Sequence, residues 1–303
     1  MARPAILTSA KAQNDGHFVA TDWALFVGVS LIWGSSFLLI AEALESLTPG
    51  VITLGRVGFG AITLWLIRLR RRTDVRVSPE DRKQIILLSV LWVGLPFTLF
   101  PLAQTHINSA VTGLLNGATP VFAGVVSAVL VRVVPSKTQR IGIAVGFIGV
   151  VLISFGSSSG GSTEVLGIVL VLIATLCYGF AVNIAPPLQA KYGAIVTMSE
   201  VLGFATIWVL PFGILSLPGA RFETGSLAAV IFLGAVGTGL AYWIMATLVG
   251  RVGGVRASFI TYLIPVVSLL LGITLRNDVV TGLAIFGSVL TIGGAFLASR
   301  RNQ

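Results

Sequence analysis

Residues 58–62 read Gly58-Phe59-Gly60-Ala61-Ile62, and 145 positions later residues 203–207 read Gly203-Phe204-Ala205-Thr206-Ile207. The same offset, with no gap, sets Gly34 on Gly179 with Trp33 opposite Tyr178, and Gly94 on Gly239 with Phe97 opposite Tyr242. It also sets Pro120-Val121 on Pro265-Val266, Gly142 on Gly287, Gly149 on Gly294, Leu152 on Leu297 and Ser154 on Ser299. A chain carrying 35 glycines aligns a few of them by chance. Chance does not also align prolines, Gly-Phe pairs and the borders of apolar segments in one register. The chain is a tandem of two related halves.

What surrounds these pairs is apolar. Hydrophobic residues fill 55% of the 303 positions and charged residues 10%, with a mean hydropathy of +0.96. A soluble domain of this size needs far more charge to cover its surface. Stretches long enough to cross a hydrocarbon core of ~30 Å recur throughout. They predict ten transmembrane helices over 22–44, 49–68, 84–103, 109–131, 138–155, 165–186, 195–217, 226–248, 254–275 and 279–298, hence an all-α membrane protein. The domain reading is a tail over 1–21, a first five-helix repeat over 22–155, a linker over 156–164 and a second repeat over 165–299. The linker carries Gly156-Ser157-Ser158-Ser159-Gly160-Gly161-Ser162, flexible by composition. The tail has no compact apolar core before a cleavage site and is read as disordered rather than as a signal peptide. Cys177 is the one cysteine, which excludes an internal disulfide and argues against a cysteine-based metal cluster.

The formal charge of +9 could suggest nucleic acid, but the basic residues sit in short loops between apolar spans. Arg68, Arg70, Arg71, Arg72, Arg76, Arg82 and Lys83 follow span two, Arg132, Lys137 and Arg140 follow span four, and Lys191, Arg251 and Arg256 follow spans six and eight. The opposite side holds only Arg221 and Arg276. By the positive-inside rule both termini are cytoplasmic, which requires an even number of spans. Five spans per half is odd, so the second half enters the membrane from the other side and the repeats are inverted. Inverted repeats rocking around a midplane site are a transporter architecture.

Most of the glycines are read as helix-packing positions, since small residues let backbones approach closely in lipid. A nucleotide-binding glycine loop would need a preceding strand. Pro120 and Pro265 each remove a mid-span backbone hydrogen bond. A kink lining a cavity and a purely structural kink weigh about equally for them.

Trp33-Gly34-Ser35-Ser36-Phe37 in span one resembles the Trp-Gly motif that opens EamA-type members of the drug/metabolite transporter superfamily. Arg56 in span two, Pro120 and Pro265, and the glycine-rich fifth and tenth spans are similar as well, and the likeness covers roughly residues 22–299. Within the superfamily, general likeness is greatest to the YddG-type aromatic amino acid exporters of bacterial inner membranes. One departure concerns the Leu-Gly-Glu-like triplet that ends spans four and nine in many members. Here Leu130-Val131-Arg132 and Leu275-Arg276-Asn277 stand in its place, so no role of that glutamate carries over.

The resemblance implies a central cavity lined by spans one, three, four, six, eight and nine. On those spans the mid-depth polar and aromatic residues are Trp33, Ser36 and Phe37; Trp92, Pro96 and Phe100; and Asn116 and Thr119. The second half adds Tyr178 and Asn183, Tyr242 and Trp243, and Phe259 and Tyr262. Small-molecule sites are mostly apolar with a few orienting polar groups. An aromatic wall suits a bulky apolar side chain, and amides, hydroxyls and kink carbonyls could hold a zwitterionic head. A single mid-span aromatic is more often packing than contact, so about half of these are expected to face a cavity.

Embedded charge is scarce. Arg56 lies inside span two, where an arginine costs at least ~2.5 kcal/mol by insertion scales. Either it has a functional role or it snorkels outward to pair with Glu42 or Glu45, and the structural pairing is preferred. Glu200, in span seven, reads as the one embedded acid and is expected to pair with Arg256. His106 falls in the short outer loop after span three, exposed.

These features point to an exporter of small amphipathic metabolites, with aromatic amino acids the specific expectation. Export of other amino acids and broad efflux of lipophilic cations are the alternatives within transport. Phosphate esters would need several basic residues in the cavity. A lipid-modifying enzyme would need a nucleophile with its base, paired acids or a histidine-rich metal site within the spans, and none is visible. The expected partners are the substrate and the bilayer of a bacterial inner membrane. No cofactor, metal or nucleic acid is called for, and the working unit is read as a monomer.

Overall fold

The computed structural model of the protein describes residues 18–72, 75–131, 134–157 and 161–299. The tail residues 1–17, the middle of the linker (158–160) and Arg132 lie outside them. Among the described residues, ten helices are long and apolar enough to cross a membrane. Spans one to five are Ala20–Ala43, Pro49–Arg70, Pro79–Gln104, Ser109–Leu130 and Lys137–Gly156, and spans six to ten are Ser162–Tyr192, Ala194–Leu215, Thr224–Val252, Gly254–Arg276 and Gly282–Ser299. Spans three, six and eight run several residues longer than hydropathy suggests, because charged turns at their ends stay helical outside the apolar stretch. The break between spans nine and ten is real: Asn277 adopts a left-handed conformation at φ 56°, and span ten resumes only at Gly282.

Helix starts follow local chemistry. Pro49 and Pro79 sit in the first turns of spans two and three, where a missing N–H costs nothing. Asn108 caps span four by accepting from the Val111 N–H at 2.9 Å. Ser136 and Gln139 form a reciprocal capping box at span five. Spans six and eight end at Gly193 and Gly253, with φ of 82° and 85°, a conformation favouring glycine. Spans three and eight each contain a π-helical turn, Ser89–Gly94 and Ala235–Leu240, at nearly corresponding places in the two halves.

Span four breaks between Asn116 and Thr119, and Pro120 opens the helix that follows. Span nine breaks instead at Ser258 and Phe259, leaving Pro265 inside a continuous helix. The two prolines match in sequence but not in conformation.

Packing is tightest where both partners are small. A Cβ on Gly287 of span ten would meet the Gly149 carbonyl oxygen of span five at 2.7 Å. A Cβ on Gly142 would meet Ala298 and Gly294 in turn. Such close approach supplies the van der Waals contact that holds helices together in lipid. Contacts between the halves also come in exchanged pairs. Gly34 abuts Val267 of span nine, and Gly179 abuts Phe122 of span four. Residues 34 and 179 stand at the repeat offset, and so do 122 and 267. The outward faces carry exposed Trp65, Phe155, Trp208 and Leu215, a surface unsuited to water and suited to hydrocarbon.

Ionic contacts gather at the span ends. Arg68 Nη1 meets Glu200 Oε1 at 2.7 Å, which replaces the expected Glu200–Arg256 pair because the last turn of span two stays helical beside span seven. Arg276 meets Glu42 at 2.7 Å and Glu45 at 3.0 Å. Asp22, fully buried at the start of span one, meets Arg251 at 2.5 Å. Glu200 is therefore not the one embedded acid. His106 is half-buried rather than fully exposed.

Candidate functional site

Between the halves lies a cavity of about 370 Å³, within the range of small-molecule sites. Its wall is two aromatic groups. Trp33 of span one and Trp92 of span three both meet Tyr242 of span eight edge-on, with ring centroids 5.9 and 6.3 Å apart. Phe37 and Phe100 meet edge-on at 5.4 Å, and Phe100 continues to Tyr178 at 5.9 Å. Ser36, Asn116 and Thr119 add polar groups. The buried side-chain oxygen of Asn116 has no hydrogen-bond partner. Among the described residues, no cluster of histidine, cysteine and acids could hold a metal ion.

Trp33, Ser36, Phe37, Trp92, Phe100, Asn116, Thr119, Tyr178 and Tyr242 thus come together on one cavity. Pro96, Asn183, Trp243, Phe259 and Tyr262 do not line it. Pro96 is buried in the helix that follows the π turn of span three. The Asn183 amide donates to the Ala123 and Gly179 carbonyls at 3.0 and 2.8 Å, stapling span six to span four. Trp243 packs against a buried cluster drawn from spans two, three, six and seven, with the Arg71 guanidinium 5.3 Å from its ring. Phe259, Tyr262 and Phe296 form a ring cluster between spans nine and ten. None of the five faces the cavity, and composition alone does not reveal which way a side chain turns within its span.

The cavity also takes Arg56, read from sequence as structural, and residues not expected there at all. Met198 and Ala194 bring in span seven, and Arg56 with Phe97 brings in the span two–three contact. Arg56 is buried, at 6% exposure. It does not reach Glu42 or Glu45, which Arg276 holds. Its guanidinium carbon lies 3.7 Å from the Phe97 ring centroid, and Nε donates to Thr238 Oγ1 at 3.3 Å. The signal that could have found this is the glycine ladder of Gly55, Gly60, Gly234 and Gly239, which draws spans two and eight into backbone contact.

The lining extends to Gln189, Val249, Gly254 and Ser258, near the Gly193 and Gly253 connections. The far end is shut. Arg276 bridges to span one there, and Asp278 accepts from Ser109 Oγ at 2.6 Å and from the Ala110 N–H at 2.8 Å. Asn108 donates to the Val279 carbonyl at 3.0 Å, and Thr48 to that of Ser216 at 2.8 Å.

An uncharacterized transporter of Archaeoglobus fulgidus is 25% identical over 92% of this chain and 99% of its own length. A Salmonella typhimurium protein named "Probable amino-acid metabolite efflux pump" is 25% identical over 91% of this chain and 94% of its own. An uncharacterized inner membrane transporter of Escherichia coli is 24% identical over 90% and 91%. One solved crystal structure shares the fold, with a TM-score of 0.62 and 18% identity over 93% of this chain and 97% of that one. The model of the EamA-like transporter family matches twice, at residues 23–155 and again at 165–300. Ten apolar helices around a central cavity and a match over nearly the whole length make this chain a multi-pass membrane transporter belonging to the EamA-like transporter family.

Proposed function

We propose that this transporter exports small amphipathic metabolites, aromatic amino acids foremost, by alternating access through the central cavity. The observation that carries this reading is the aromatic wall of Trp33, Tyr242, Trp92, Phe37, Phe100 and Tyr178 around about 370 Å³. Rigid rings hold a flat apolar side chain at low entropic cost, and a few polar groups orient the remainder. The relatives named as amino-acid metabolite efflux pumps support the substrate class.

The mechanism follows from inversion. Two five-span halves of opposite orientation, joined over 156–164, surround one site and share exchanged contacts such as Gly34–Val267 and Gly179–Phe122. Such halves interchange roles when the protein switches sides. The excess of basic residues in the loops on one side supports a cytoplasmic position for the Gly193 and Gly253 connections and for both termini. On this reading the closed end, held by Arg276 and Asp278, faces outward and the cavity opens inward.

Proteoliposomes carrying the full chain test this with labelled tryptophan, phenylalanine, threonine and a tetraphenylphosphonium cation. The aromatic amino acids should move fastest, and Trp33→Ala should slow them about tenfold or more, as loss of a buried aromatic anchor does. Movement of the phosphonium cation without the amino acids would turn the reading into broad drug efflux. The same assay with and without a pH gradient reads the energy coupling.

The outer closure has its own test. Arg276 and its two glutamates are partly exposed, so the bridge contributes on the order of 0.5–1 kcal/mol, a few-fold bias between states. Arg276→Ala should raise, a few-fold, the rate at which an impermeant outside maleimide labels Ser268→Cys in a Cys177→Ala background. An unchanged rate would mean that the bridge does not hold that end.

A further inference from the structure

We propose that Arg56 is the carboxylate-binding residue of the central cavity, so that cargo is admitted as a singly charged carboxylate or as a zwitterion. This rests on the export reading above and adds the charge that the cargo must carry.

An arginine within a membrane span ordinarily has an acidic partner or reaches the headgroups. Arg56 does neither. Among the described residues Glu42 and Glu45 are held by Arg276, Glu200 by Arg68, Asp22 by Arg251 and Asp81 by Lys191. Asp278 caps the start of span four. The Phe97 ring shields one face of the guanidinium, and Thr238 takes one of its five N–H donors. A cation–π contact stabilises a charge without neutralising it. The residue borders the cavity, and no salt bridge among the described residues involves it.

Its position is built rather than incidental. A Cβ on Gly60 would meet Thr238 Cγ2 at 2.7 Å, and one on Gly234 would meet the Arg56 carbonyl oxygen at 2.9 Å. Spans two and eight are thereby locked in one register. Within the π turn, Thr238 Oγ1 donates to the Leu233 carbonyl at 3.0 Å, which leaves its lone pairs for Arg56 Nε. π turns of this kind recur at functional sites. A guanidinium held by an edge and a face still presents a planar fork, the geometry that matches a carboxylate.

The remaining lining completes an amino-acid complement. Asn116 offers a buried, unpartnered acceptor suited to an ammonium group, and the Trp33–Tyr242–Trp92 rings suit an apolar side chain. A lone fixed cation favours a single carboxylate, and it repels a lipophilic cation.

The test compares 3-phenylpropionate with its neutral amide, 3-phenylpropanamide, by ligand-induced thermal shift and equilibrium binding on the purified full chain. Wild-type protein should bind the acid about ten- to a hundredfold more tightly, the range for a charge-assisted pair. Arg56→Gln should erase that preference while leaving amide binding within about twofold, and Arg56→Lys should restore part of it. Thr238→Val, which frees Nε, should weaken the acid several-fold and the amide little; it decides the matter if Arg56→Gln does not fold. Wild-type protein that fails to distinguish acid from amide, by binding both alike or neither, overturns the proposal. So does an Arg56→Gln variant that weakens both equally. Hexanoate bound as tightly as 3-phenylpropionate would keep Arg56 and remove the aromatic preference. Phenylalanine transport without the acid–amide difference would do the reverse.

Discussion

Gly294→Val is expected to leave little folded protein. The first atom added at that position would overlap the Gly146 backbone nitrogen and lie 2.6 Å from the Gly142 carbonyl oxygen. Backbone atoms of span five cannot rotate away as the tip of a side chain can. Spans five and ten would have to separate along the seam set by Gly142, Gly149, Gly287 and Gly294, losing the contact that associates helices in lipid. Overpacking against backbone costs about 3 kcal/mol or more, a large share of a typical stability. The measurements are the yield of monodisperse protein in detergent and its thermal midpoint. Gly293→Val is the control, since a Cβ at Gly293 meets nothing within 4 Å, and it should behave as wild type. Equal yields for the two variants would show that this seam does not hold the fold.

Gly113→Val should give the second large effect, on turnover with the fold retained. A Cβ at Gly113 would overlap Ser268 Oγ and crowd the Phe37 ring at 3.2 Å. This is where span four meets span nine at the shut end, close to the Ser268 Oγ bond to the Ser109 carbonyl at 3.3 Å. Nearby, a Cβ on Gly272 would meet Ala110 Cβ at 2.8 Å. In the proposed cycle these helices part when the outer end opens, so valine is tolerated there and excluded from the closed form. A penalty of about 1–3 kcal/mol on one state shifts the balance roughly 5–150-fold. Transport should fall at least tenfold, and outside labelling of Ser268→Cys should rise. Wild-type transport by Gly113→Val would mean that spans four and nine do not move apart there.

Trp33, Tyr178 and Tyr242 could be placed at the cavity from sequence because each combines an aromatic side chain with mid-span depth and a repeat-related neighbour. Asn183 and Tyr262 satisfied similar criteria, yet one staples span six to span four and the other packs on span ten. The difference is rotational phase. In apolar, nearly featureless helices the amphipathic pattern that reports phase in soluble proteins is weak, because the lipid-facing and protein-facing sides are both hydrophobic. Arg56 illustrates the same limit. Its depth was legible, but its partner was not, because Glu42 and Glu45 lie within plausible reach along the chain and only three-dimensional packing gives them to Arg276. The burial of Asp22 is not legible in the sequence, because it sits at the border of an apolar run, where a charge looks solvated until Arg251 arrives from span eight.

By itself the sequence determined the number of spans, their approximate ends and the duplication at 145 residues. Those depend on local hydropathy and on residue identity, which are properties of the chain written out in line. The tertiary structure alone decided which face of each helix looks inward, which charges pair, and that one end of the cavity is shut while the other reaches Gly193 and Gly253. It also separated Pro120, beside a true break, from Pro265, inside a continuous helix, although their sequence contexts match. Such differences are set by which of several nearly equivalent packings two similar halves adopt together, and contacts between spans remote in sequence decide that.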